Sequence, residues 1–84
     1  MNKKFIIECI DIIERIKLNS IIAITKDNEE LKYKLIYDES GEYYELLCLD
    51  EKDAIWDDGN TIKEIKEGLV YNAVKSIYQK IRLL

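Results

Sequence analysis

The stretch LKYKLIYDESGEYYELLCL, residues 31–49, decides the architecture, because its side chains change character at every second position on both sides of a turn. Leu31, Tyr33, Leu35 and Tyr37 alternate with Lys32, Lys34 and Ile36, which is the period of a half-buried strand. Asp38-Glu39-Ser40-Gly41 supplies turn chemistry. Glu42 to Leu49 then reads as a returning strand, with Tyr44, Leu46 and Cys48 on one face and Tyr43, Glu45, Leu47 and Leu49 on the other. If Tyr37 and Glu42 flank the loop, Leu35 opposes Tyr44, Tyr33 opposes Leu46 and Leu31 opposes Cys48. The reverse face then pairs Lys34 with Glu45 and Lys32 with Leu47. A slip of one residue would mix the faces, so the parity of the pairing has a physical cause.

Upstream, Ile21 to Thr25 is short and β-branched and is followed by the polar run Lys26 to Glu30, a strand and a turn. Before it, residues 3–18 repeat apolar side chains at helical spacing. Phe5, Cys9, Ile12 and Ile16 form one row beside Ile6, Ile10 and Ile13, while Lys4, Glu8, Asp11, Glu14 and Arg15 fill the opposite arc. Asn19-Ser20 ends this helix. Downstream, Thr61 with Glu64 three positions later has the form of a capping box, so a last helix starts near Ile62. Its apolar row is Ile62, Ile65, Leu69, Ala73, Ile77 and Ile81, with Val70 and Val74 alongside. Gly68 interrupts it at about 1 kcal/mol relative to alanine, so either a backbone packs closely there or two shorter helices meet. The expected fold is α+β, one domain over residues 1–84 in the order α-β-β-β-α. It is a two-layer sandwich, a three-stranded antiparallel meander with both helices on its apolar face and its other face uncovered.

With 84 residues the chain has room for one core. Its formal charge is −4, from 17 acidic and 13 basic residues, and the basic ones are dispersed. A nucleic acid is held mainly by neutralising phosphates, so the charge argues against one and favours a basic protein surface as partner. Cys9 and Cys48 lie in apolar stretches and read as buried free thiols, which fits a cytoplasmic protein. Lys3 and Lys4 precede an apolar run, but Glu8, Asp11 and Glu14 interrupt it, so neither a signal peptide nor a membrane span is expected.

Two groups of residues are candidates for recognition. Asp50, Glu51, Asp53, Asp57 and Asp58 crowd one segment around Trp56. A calcium loop starting at Asp53 would put Ile55 at a ligand position and Asp58 where glycine is needed, so no metal is expected. The segment is either a solvated loop feeding a helix start or a surface for a basic partner, and Trp56 is either its anchor on the core or an exposed hot spot. The second group is Ile36, Tyr43, Leu47 and Leu49 on the uncovered sheet face, a possible oligomer contact. Tyr71 and Tyr78 edge the last helix, where they either cover the core margin or meet a partner. With no histidine, the common acid–base triads are impossible, and there is neither a phosphate-binding glycine loop nor a cysteine pair at metal spacing. No enzyme and no cofactor is expected.

In size, acidic charge and element order the chain resembles small phage-borne inhibitors, one class of which binds a Cas9-type nuclease by imitating the charge of DNA. The resemblance spans the whole chain through layout and composition, and no motif residues are carried over. It implies an inhibitor, with a DNA mimic as one form. The leading expectation is therefore a noncatalytic protein-binding module that docks a basic protein surface through an acidic face. The alternative is a structural homo-oligomer, for example a dimer, assembled through the open sheet face or a sheet edge.

Overall fold

The computed structural model describes residues 2–84. In chain order the elements are α1 (Lys3–Glu14), β1 (Ile21–Lys26), β2 (Glu29–Asp38), β3 (Tyr43–Cys48), β4 (Ile55–Gly59), α2 (Ile62–Val74) and β5 (Lys80–Leu83). The strands make one antiparallel sheet in the order β4-β3-β2-β1-β5, and α1 and α2 cover one face of it. The α+β class and the one-sided helical layer match expectation. The strand count does not, because the described residues form five strands and two of them lie in segments read as loop and as helix.

The first is β4. Asp57, Asp58 and Gly59 are poor strand formers, yet Leu47 pairs with Ile55, Glu45 with Asp58 and Tyr44 with Gly59. A register shift between Glu45 and Leu47 leaves Leu46 facing both Trp56 and Asp57, so both turn towards the helices. The second is β5. α2 stops at Val74, and Ser76 takes the left-handed conformation at φ 57° while its N–H donates to the Ala73 carbonyl. The Ile77 N–H donates to the Asn72 carbonyl, completing a Schellman stop. Ile77 is 41% exposed, and Ile81 reaches the core as a strand residue opposite Ile24. The helical spacing that runs on to Ile81 is thus a coincidence of period.

α1 also stops early, at Glu14 rather than residue 18. The Arg15 and Ile16 amides bond carbonyls three residues back, which tightens the last turn. Ser20 Oγ accepts from the Lys17 N–H at 2.9 Å, and Asn19, at φ 73°, donates its N–H to the Leu35 carbonyl.

The β2–β3 register slides by two residues from the expected one, so the faces keep their parity. Leu35 opposes Leu46, Tyr33 opposes Cys48, Lys34 opposes Leu47 and Ile36 opposes Glu45. The expected Lys34–Glu45 and Lys32–Leu47 pairs are absent. The cause is Asp38, whose Oδ1 accepts from the Ser40 N–H, the Ser40 hydroxyl and the Gly41 N–H. It therefore belongs to the strand end, and Glu42 takes the left-handed position at φ 56°. The core gathers Cys9, Ile13 and Ile16 from the first helical segment, Ile65 and Leu69 from α2, and Ile22, Leu35 and Leu46 from the sheet. Full burial of each such side chain contributes about 1.5–3 kcal/mol. Among the described residues no charged side chain is buried.

Candidate functional site: the uncovered sheet face

Strand alternation brings the four residues marked for the open face onto one surface. Ile36 lies on β2, Tyr43 and Leu47 on β3, and Leu49 follows, its N–H donating to the Lys32 carbonyl at 2.8 Å. Ile55 of β4, opposite Leu47, extends this apolar band. Leu49 and Ile55 are 49% and 45% exposed, and Ile36, Tyr43 and Leu47 are half-buried. At the hairpin end the Tyr43 ring lies over Gly41, where a Cβ would overlap it.

Charge on this face is mixed along β2, where Glu30 and Asp38 share the parity of Lys32 and Lys34. Lys32 and Lys34 stand on β2, and Lys80 and Arg82 on β5. Glu45 on β3 lies directly opposite Asp58 on β4, a like-charge pair that costs stability. Asp38 joins them at the same end beside Tyr43. The Glu45 carboxylate first, and then the hydrogen bond to Asp38, push the Tyr43 phenol above its ordinary value. The Ser40 hydroxyl first, and then the Gly41 N–H, hold Asp38 below its own.

On the basic side Arg82 is neutralised. It makes a two-pronged bond to Glu30 at 2.9 and 3.1 Å, which lowers the Glu30 carboxyl and raises the guanidinium. Among the described residues the ion pairs are this one and Arg15–Asp11. Lys32, Lys34, Glu45 and Asp58 thus have no ion-pair partner within 4 Å among the described residues.

The acidic segment does not form one patch. Asp50 Oδ2 accepts from the Lys32 N–H at 2.6 Å, tying the turn after β3 back to β2. Glu51 and Asp53 are exposed at the tip of that turn. Asp57 faces the helices, with Oδ1 accepting from the Asp58 N–H at 2.9 Å and Oδ2 against Gly68. That close approach explains the glycine, and α2 runs through it unbroken. Only Asp58 reaches the outer sheet face.

Trp56 turns inward, edge to face with Tyr33 at 5.7 Å and with Tyr78 at 5.9 Å between ring centres, so it anchors β4 on the core. Its indole Nε1 is buried without a hydrogen-bond partner. Tyr78 is itself buried and donates its hydroxyl to the Leu69 carbonyl at 2.9 Å. Tyr71 is exposed, with the Lys75 ammonium 5.6 Å above its ring.

Among the recesses of the surface, two have largely apolar walls next to the helices or the Trp56 ring. One, of about 370 Å³, has Ile24, Leu31, Tyr33 and Trp56 as walls and Lys26 and Glu29 at its rim. The other, of about 320 Å³, runs between the helices over Ile10, Ile13 and Val70 with Glu14 and Lys63 beside it. Neither gathers polar groups around one point. Cys9 and Cys48 are buried free thiols, and burial above all pushes the Cys9 thiol up. Among the described residues no group of acidic or sulfur side chains has the geometry to hold a metal, and no helix is long and apolar enough to cross a membrane.

Ile55 and Asp58 entered the face only because β4 exists. The Ile55-Trp56 pair, β-branched then aromatic, was the one local sign of that strand. No protein-family model, curated protein or solved structure matches the chain.

Proposed function

We propose that the chain is a noncatalytic protein-binding module and that its contact surface is the uncovered sheet face. The observation that supports this is the band of Ile36, Leu47, Leu49 and Ile55 flanked by Lys32, Lys34, Glu45 and Asp58, charges without ion-pair partners among the described residues. An apolar centre with a charged margin is the anatomy of a binding surface, in which the apolar anchors supply affinity and the charges set orientation and approach. The acidic half, with Glu45, Asp58 and Asp38, is the part that suits a basic partner surface. This moves the recognition role from the 50–58 segment to the sheet, because Asp50 and Asp57 serve local structure and Trp56 serves the core. An inhibitor role, including DNA mimicry, is one use of such a module.

A photoreactive residue placed in turn at positions 49, 51 and 71 tests the reading in cells that make the protein. Cross-linking to protein from position 49, and not from 51 or 71, is the expected result. Cross-links confined to 51 would return recognition to the acidic turn, and those confined to 71 would assign it to the helical layer.

A further inference from the structure

We infer that the recess at the end of the β1–β2 hairpin is a seat for an arginine side chain presented by a partner protein, and that Lys26 occupies this seat in the free chain. This goes beyond the sheet-face reading, because the recess lies on the other side of the sheet. Its walls Ile24, Leu31, Tyr33 and Trp56 belong to the helix-facing side, yet no residue of α1 or α2 lines it. The helical layer leaves this end of the covered face open.

Three observations specify the occupant. The first is the aromatic wall. The Trp56 and Tyr33 rings stand at 72° to one another with 5.7 Å between centres. An aromatic face attracts a cation without needing polar groups converged on one point, and a planar guanidinium, more weakly hydrated than an ammonium, also stacks on it. The second is the seat as it is now filled. Lys26 and Glu29 stand opposite each other in the strand register, where an opposite-charge pair is favourable. They make no ion pair within 4 Å, and the Lys26 ammonium lies instead over the Trp56 ring, 5.9 Å from its centre. The ring face is therefore reachable by a cation from this side. That distance is at the outer limit of a cation–π contact and Lys26 is exposed, so the contact is weak and easily displaced. The third is the rim. Glu29 and Asp27 are exposed at the opening with no ion-pair partner within 4 Å among the described residues. Burial first, and then Cys48, Glu51, Asp50 and Glu29, push the Tyr33 phenol above its ordinary value, so the turn after β3 adds its negative charge at the same wall. A cation entering the recess of about 370 Å³ thus meets a ring face and a carboxylate rim, and an anion would meet the rim as repulsion.

The test is a titration of the purified full chain with two short peptides blocked at both ends, one carrying a single arginine and the other citrulline, in which a neutral urea group replaces the guanidinium. Trp56 is the single tryptophan of the chain, so its indole N–H resonance and its fluorescence report on the recess. The arginine peptide should shift both signals saturably, and the citrulline peptide should not. Lys26→Met, which vacates the ring, should bind the arginine peptide roughly threefold tighter, and Glu29→Gln should bind it roughly threefold more weakly. Lys63→Met, the same loss of charge on α2, should bind it as wild type does. All three variants change exposed side chains, and an unchanged thermal melt checks their fold. No saturable shift in either wild type or Lys26→Met overturns the inference, as does equal binding of the citrulline peptide. A gain in Lys63→Met as large as that in Lys26→Met overturns the role given to Lys26 and assigns the effect to net charge. Weaker binding by Lys26→Met than by wild type overturns it too, since Lys26 would then be holding the ligand. A lysine peptide that binds more tightly than the arginine one overturns arginine as the occupant. None of these outcomes involves position 49, so failure here leaves the cross-linking test of the sheet face standing.

Discussion

Two side chains show how local chemistry decides what each residue is for. Trp56 contributes area and edge-to-face contacts, while its indole N–H is buried without an acceptor. Replacing it with phenylalanine keeps most of the packing and removes a donor that gains nothing, so Trp56→Phe should cost about 1 kcal/mol or less. Trp56→Ala, which empties the site, should cost about 3 kcal/mol. Urea unfolding of the three proteins measures both, and equal losses would show that the N–H matters more than the ring. Asp38 is the other case. Its folded carboxyl sits below the ordinary value of 3.8, first because of the Ser40 hydroxyl. A depressed carboxyl adds stability above the unfolded value and loses it as pH falls through the folded one. Asp38→Ala should therefore melt at a lower temperature than wild type from about pH 5 upward, and the gap should close towards about pH 2. Thermal melts across that range check it, and a gap that persists in acid would assign the effect to turn conformation rather than charge.

At the scale of elements, the contact between β4 and α2 rests on one close approach. A Cβ on Gly68 would lie 2.5 Å from Asp57 Oδ2. Gly68→Ala alone should destabilise by about 1 kcal/mol, because the overlap outweighs the better helix propensity. Combined with Asp57→Ala, the same change should stabilise by about 0.5–1 kcal/mol. A double-mutant cycle reads that reversal of sign, and additivity would show that the two elements do not meet there.

The elements readable from residues were those in which local preference and tertiary role agree. α1, the start of α2 at Thr61 and the β2–β3 alternation belong here, and Thr61 does cap, its hydroxyl accepting from the Glu64 N–H at 3.1 Å. Glu64 reaches back one residue further than a capping box requires, to the Asn60 N–H at 2.8 Å. β4 was not readable, because Asp57-Asp58-Gly59 carries no strand preference and is held by pairing to β3. β5 was hidden because Ile77 and Ile81 continue a helical spacing, and because a serine, not a glycine, makes the left-handed stop at φ 57°.

For the whole molecule, the open face was legible as a set of residues and illegible as a charge pattern. Parity alone places Ile36, Tyr43, Leu47 and Leu49 together, and it survived a register two residues away from the expected one. The arrangement of lysines and carboxylates depends on which residues stand opposite one another and on Asp58 joining the sheet. Both are tertiary facts. The acidic segment divides for the converse reason, since closeness in sequence says nothing about direction when a bulge turns Asp57 to the helices and Asp58 away from them.

The place of β5 beside β1 also carries a kinetic consequence. β1 to β4 are consecutive hairpins that close over short loops, whereas β5 must return across the molecule, as the bond from the Asp27 N–H to Gln79 Oε1 shows by spanning 52 residues. Long loops close late, so the rate-limiting ensemble for folding holds the meander and lacks the final strand. Ile81→Ala should then speed unfolding by about tenfold or more while leaving the refolding rate within about twofold of wild type. Stopped-flow chevrons separate the two limbs. A slowed refolding limb would instead make the last strand part of the nucleus. With the late order, the lifetime of the folded state is governed by how long β5 stays docked against β1.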